Sequence, residues 1–162
     1  MSESWPEVDV EEGLDIQPFD ETALADFTGR VLAAVFSLEG RNLRLSVHFC
    51  SDAAMCALHE EWLGDPSSTD VMSFPLEADA PGQVQGLGAD GELVVCIDHA
   101  RAQARVHGNP FENEVALYLV HGALHLLGYD DHEPSDLMRM KASEARTLER
   151  LGLPVQGRHV DR

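Results

Sequence analysis

Residues 111–127, FENEVALYLVHGALHLL, constrain this chain more than any other stretch. From Val115 onward almost every side chain is apolar, the run has the length of a helix, and Gly128 stands where a helix would stop. A helix that is apolar on nearly every side must be covered by other parts of the chain. Two positions break the pattern, His121 and His125. Burying two imidazoles in such surroundings is costly unless something satisfies their nitrogens.

The rest of the chain supplies covering elements. Residues 21–38 place Leu24, Phe27, Val31, Leu32, Val35 and Leu38 at three- and four-residue intervals, which predicts an amphipathic helix ended by Gly40. Residues 42–50 alternate Leu43, Leu45, Val47 and Phe49 with polar neighbours, a half-buried strand. Ser51 is placed to cap a helix reaching Leu63, and residues 70–76 read as a strand closed by Pro75. Residues 77–91 are rich in glycine and read as a flexible connection, whereas the unbroken apolar run at 93–97 predicts a central strand. Asp98 is expected to cap a helix to about residue 106. A last helix over 135–151 turns Leu137, Met140, Glu144, Leu148 and Leu151 inward. The expectation is a single α+β domain of three or four strands and four or five helices. It occupies residues 20–152, with an acidic, partly flexible leader at 1–20 holding one edge strand and a polar tail at 153–162.

Composition limits the function. The 162 residues, 44% hydrophobic and 25% charged, are enough to bury a core without a disulfide or metal staple, and they exclude disorder as a description of the whole. No apolar run reaches the length of a membrane span, and the N-terminus is acidic where a secretory signal is basic, so a cytoplasmic location is expected. Cys50, Cys56 and Cys96 are odd in number and contain no CxxC pair, which leaves them as small buried hydrophobes. Eleven Lys and Arg against 29 Asp and Glu give a net charge of −18, which opposes non-specific adhesion to nucleic acid.

Chemistry gathers in HGALHLLGYDDH at 121–132. Histidines four apart on a helix project from one face at adjacent turns and suit a shared metal ion. Alone, such a pair is more often a hydrogen-bonded core or surface feature. Here the apolar helix, the glycine stop and the Asp130, Asp131, His132 cluster that follows turn the reading toward metal. A chain turning back at Gly128 would bring either Asp131 or His132 over the same face as a third ligand. Three protein ligands with an open fourth position make a catalytic zinc. The residue after His121 is Gly122, whereas zinc proteases with an HExxH motif carry their glutamate base there, so peptide hydrolysis lacks its base. Proton transfer would fall to Asp130 or to whichever of Asp131 and His132 is not a ligand.

HGALHLLGYD resembles the HGxLHLxGYDH signature of the YbeY family of bacterial zinc-dependent endoribonucleases. TDVMSFP at 69–75 is similar to the family's TDVLSFP, and GELVVC at 91–96 is similar to its GDIVI strand, in the same order. The resemblance implies a compact α+β fold with a small mixed β-sheet and a central zinc-binding helix. It also implies single-strand-selective cleavage of RNA in ribosomal RNA maturation, including the 16S 3′ end, with the small ribosomal subunit and its proteins as partners. His121 and His125 become the first two ligands of one zinc ion. The family's third histidine falls on Asp131, with His132 one residue later; zinc's preference for nitrogen favours His132, and Asp131 is the alternative. Where the family has an aromatic residue followed by arginine, this chain has Trp62 and Leu63, so weak RNA affinity is expected unless Arg44 or Arg101 compensates.

Three functions compete on this reading: the zinc endoribonuclease, a metal-dependent protease or amidase, and a ribosome-assembly factor whose zinc is structural. Ser73 suits either the site cleft or a backbone hydrogen bond. Trp62 and Phe74 are expected to pack in the core in preference to stacking bases, and Arg101 and Arg105 to pair with acidic neighbours in preference to phosphate.

Overall fold

A computed structural model describes residues 5–76 and 88–156, so the connection expected at 77–91 and the tail from 153 lie partly outside the described residues. Four strands, β1 Glu7–Val10, β2 Leu45–Cys50, β3 Val71–Pro75 and β4 Gly91–Cys96, form one mixed sheet in the order β1-β2-β4-β3. The first three neighbours in that order run parallel, and β3 closes the edge antiparallel to β4. Five helices complete the domain: α1 Glu21–Glu39, α2 Asp52–Leu63, α3 Ile97–His107, α4 Phe111–Leu126 and α5 Pro134–Leu151.

The strand period of two sorts the sheet's side chains onto its faces. Leu45, Val47, Phe49, Leu93 and Val95 join the main core with α1, α4 and α5, while Cys50, Met72, Val94 and Cys96 form a smaller cluster with Met55 of α2. Helix α4 is buried from Asn113 to Leu124, and it packs against α1, α3, α5, β3 and β4, which confirms the central helix. It is the scaffold on which His121 and His125 stand.

Local chemistry explains most element ends. Asp20 accepts a hydrogen bond from the Ala23 N–H at 2.7 Å to begin α1, and Ser51 Oγ accepts from the Ala54 N–H at 3.2 Å to begin α2. One cap differs from the sequence reading. Helix α3 starts directly at Ile97 and its N-cap is Cys96, whose Sγ accepts from the His99 N–H at 3.4 Å. Asp98 instead accepts from the Asp52 N–H at 2.7 Å, tying the starts of α2 and α3 together.

The described part of the leader, from residue 5 on, is docked onto the core. Ile16 is buried and Phe19 packs at 5.0 Å from the Phe27 ring. Arg101 holds it there by donating to the carbonyls of Asp15 and Gln17 at 2.9 and 2.8 Å, with its guanidinium 4.2 Å from the Phe111 ring. Arg44 lies against Asp90, whose carboxyl the arginine side-chain hydrogen bond holds below the usual carboxylate range. Both arginines offered as replacements for the missing cation are therefore engaged elsewhere.

Candidate metal centre

His121 and His125 face the solvent end of α4 as adjacent turns of one helix, with His121 buried and His125 half-buried. Each ring is fixed by its Nδ1. In His121 that atom donates to Oε2 of Glu144, a carboxylate buried on α5. In His125 it donates to the Tyr129 carbonyl at 3.2 Å. A carbonyl can only accept, so His125 carries its proton on Nδ1, and with Glu144 Oε2 as the acceptor His121 takes the same tautomer.

The consequence lies on the other side of the rings. The two Nε2 atoms are 3.1 Å apart, and with both Nδ1 atoms protonated each presents a lone pair to the same point. No hydrogen bond joins two acceptors. Adding a proton to His125 would make one, but burial, together with the neighbouring His121, pulls its pKa below the ordinary histidine value. A cation between the nitrogens satisfies both, and the carboxylate–histidine arrangement at Glu144 is the outer-shell support that metal-bound histidines use. The donor set fits a divalent metal on this geometry.

The return at Gly128, with φ of 106°, brings the third candidate. Asp131 Oδ2 lies 3.6 Å from His125 Nε2, and ligand atoms of His121, His125 and Asp131 all fall within 4.8 Å of one another. His132 is not in that group. Its side chain is 80% exposed and its Nδ1 sits 2.8 Å from Asp130. Asp130 accepts from the backbone N–H groups of Asp131 at 2.7 Å and His132 at 3.1 Å, and those bonds, the His132 one foremost, hold its carboxyl below the usual range. It therefore shapes the loop as an ionised acceptor on the exposed side.

The histidines open into a cleft of about 470 Å³ that runs over the edge strand β3 to the end of α2. Ser73 lines this cleft and also donates to the Gly122 carbonyl at 3.2 Å, so both expected roles coincide. The expected core packing of Trp62 is overturned. Its side chain is 61% exposed at the cleft wall, tilted against the half-buried Phe74 at 5.5 Å. Helix α2 buries only Met55 fully, so its last turn overhangs the cleft. Arg105 is exposed, away from the histidines, and His59 lines the cleft with its Nδ1 2.8 Å from the Ser67 carbonyl.

Glu144 was visible in the sequence only as part of an inner helix face, and its role was missed. The signal was there: one acidic residue among Leu137, Met140, Leu148 and Leu151 has no reason to face inward without a partner. Replacing it with glutamine keeps the shape and removes the charge that orients His121. Metal affinity should fall about 10- to 100-fold with little change in the circular dichroism spectrum, read by competition with a chromophoric chelator.

Comparison with known proteins shows what the chain is similar to. The profile of the family described as Endoribonuclease YbeY matches residues 10–152. A protein named Endoribonuclease YbeY from Sinorhizobium medicae is 38% identical over 152 residues, covering 92% of this chain and 86% of that protein. One of the same name from Mycolicibacterium gilvum is 36% identical over 162 residues, covering 96% and 88%. A further namesake from Myxococcus xanthus is 37% identical over 129 residues, and there the match spans only 44% of the relative. The solution structure of TM1509 from Thermotoga maritima has the same fold, with a TM-score of 0.57 at 24% identity over 90% of this chain and 91% of that one.

Proposed function

This chain belongs to the Endoribonuclease YbeY family, and from that premise we propose that it is a zinc-dependent endoribonuclease acting on single-stranded RNA. The observation that carries the metal is the pair of Nε2 lone pairs 3.1 Å apart, fixed in that tautomer by Glu144 and Tyr129. Two nitrogens and one carboxylate oxygen are a common catalytic zinc set, with an open position for water or substrate. A zinc ion in this site supplies Lewis-acid activation of water and of the phosphodiester at neutral pH.

The chain's own residues do the rest. His121 and His125 would hold the ion, with Asp131 as the third ligand in place of His132. Glu144 and the Tyr129 carbonyl keep both rings from rotating, and Asp130 pins the loop so that Asp131 faces inward. Ser73 and Gly122 form the floor beside the histidines, where α4 meets β3. In keeping with the family, we assign the substrate to ribosomal RNA precursors, including the small-subunit RNA 3′ end, and the small ribosomal subunit as partner in the cytoplasm. No helix of the described residues is long and apolar enough to cross a membrane.

The test is cleavage of a labelled single-stranded RNA by protein stripped with chelator and then reloaded with zinc. Restored cleavage supports the reading, and a zinc-loaded protein that cuts no RNA removes it. The same assay separates the two ligand assignments. Asp131→Ala should lose zinc affinity by about 100-fold or more, beyond the cost of an outer-shell partner, while His132→Ala stays within about twofold of wild type. The reverse order would return the third position to His132.

A further inference from the structure

The far end of the metal-centre cleft, away from the histidines, differs chemically from an ordinary RNA-binding surface. Among the described residues its lining contains no lysine, arginine, aspartate or glutamate. Leu63 stands there 66% exposed, Arg44 is bound to Asp90, and Arg101 is bound to residues 15 and 17. A phosphate needs a cation or a row of donors to leave water, and the described lining offers no Lys or Arg, with only His59, Thr69 and Ser73 as side-chain donors beside Trp62. It provides an indole instead. Trp62 lines the cleft at 61% exposure, propped by Phe74 at a tilt of 57°. The parts of an RNA strand that are flat and uncharged are its bases.

Resting on the reading that the substrate is RNA, we propose that Trp62 is the stacking platform for an unpaired nucleobase of the strand whose phosphate lies at His121, His125 and Asp131. The chain then grips RNA by stacking at one end of the cleft and by the metal at the other, with little help from backbone cations. Two properties follow. A base inside a duplex has both faces covered by its neighbours, so the indole selects single strands. The grip also depends weakly on salt, because few counterions are released when few phosphates are neutralised.

The experiment uses the full, zinc-loaded chain and steady-state cleavage of a labelled single-stranded RNA. Trp62→Ala should raise KM about 10-fold or more while kcat and zinc content hold, and Trp62→Phe should recover most of the loss. The wild-type logarithmic salt slope should be about −1 or shallower. Single-stranded RNA should quench tryptophan emission in the wild type and not in Trp62→Phe, and duplex RNA should quench neither. An unchanged KM in Trp62→Ala, or a steep salt slope, overturns the stacking role and leaves the nuclease reading intact. If the wild type cuts no RNA, the nuclease reading falls, and the emission measurement still decides whether a base reaches Trp62.

Discussion

His125→Ala should fold, hold no stoichiometric zinc, and cleave RNA on the order of 1,000-fold or more slowly than the wild type. The size of the effect follows from where His125 stands. Its Nε2 is the atom nearest both other candidate ligands, 3.1 Å from His121 Nε2 and 3.6 Å from Asp131 Oδ2, so removing it leaves two donors with nothing between them. The fold should survive because the ring is partly exposed and, apart from its contacts with the other candidate ligands, the bond lost is the one to the Tyr129 carbonyl. The apo proteins order in an instructive way. Without metal, the wild type holds two lone pairs against each other, and the variant does not, so the stripped variant should be at least as stable as the stripped wild type. Zinc reverses that order. At about 100 times its dissociation constant it should stabilise the wild type by about 2.7 kcal/mol and the variant not at all, read as a shift in thermal midpoint. A variant that keeps zinc-restored cleavage would remove His125 from the centre.

The histidine pair was legible in the sequence because its information is local. A spacing of four on an apolar helix and a glycine stop both lie within eight residues, and helix geometry converts them directly into position. The caps at Ser51 and Gly40 and the central place of β4 share this quality. What was not legible depends on distant partners. Glu144 meets His121 across 23 residues, and nothing in the α5 pattern names that partner. Asp131 and His132 are neighbours in sequence and differ in side-chain direction, which Asp130 settles by taking both of their N–H groups. Trp62 misled because an aromatic side chain is usually buried, whereas α2 buries only Met55 fully and leaves its last turn exposed. The cap of α3 misled for a related reason. An aspartate just before a helix is the common pattern, but the chain turns straight from β4 into α3 and the cysteine at the junction takes the role.

Gly122→Glu, which would complete an HExxH motif, should instead unfold the protein or destabilise it by about 4 kcal/mol or more, and should confer no peptidase activity. In a zinc protease the glutamate at this position serves the metal-bound site from an open face of its helix. Here that position is where α4 crosses the sheet. A Cβ built on Gly122 would stand 2.8 Å from Leu93 Cδ2, 3.2 Å from Ser73 Oγ and 3.2 Å from Val71 Cγ2. Leu93 is fully buried in the main core and cannot swing aside without displacing its own neighbours. Alanine isolates the steric part. Its overpacking cost of about 1–3 kcal/mol is partly offset by up to ~1 kcal/mol of helix propensity, so Gly122→Ala should lose about 1 kcal/mol and keep its zinc. Glutamate adds two methylenes and a carboxylate to the same contact, with no cation among the residues it meets. Urea denaturation of the three proteins measures the series directly. A glutamate variant as stable as the wild type would mean that α4 can lift from β3 and β4, and the absence of a protease base could then no longer be traced to the packing of this helix.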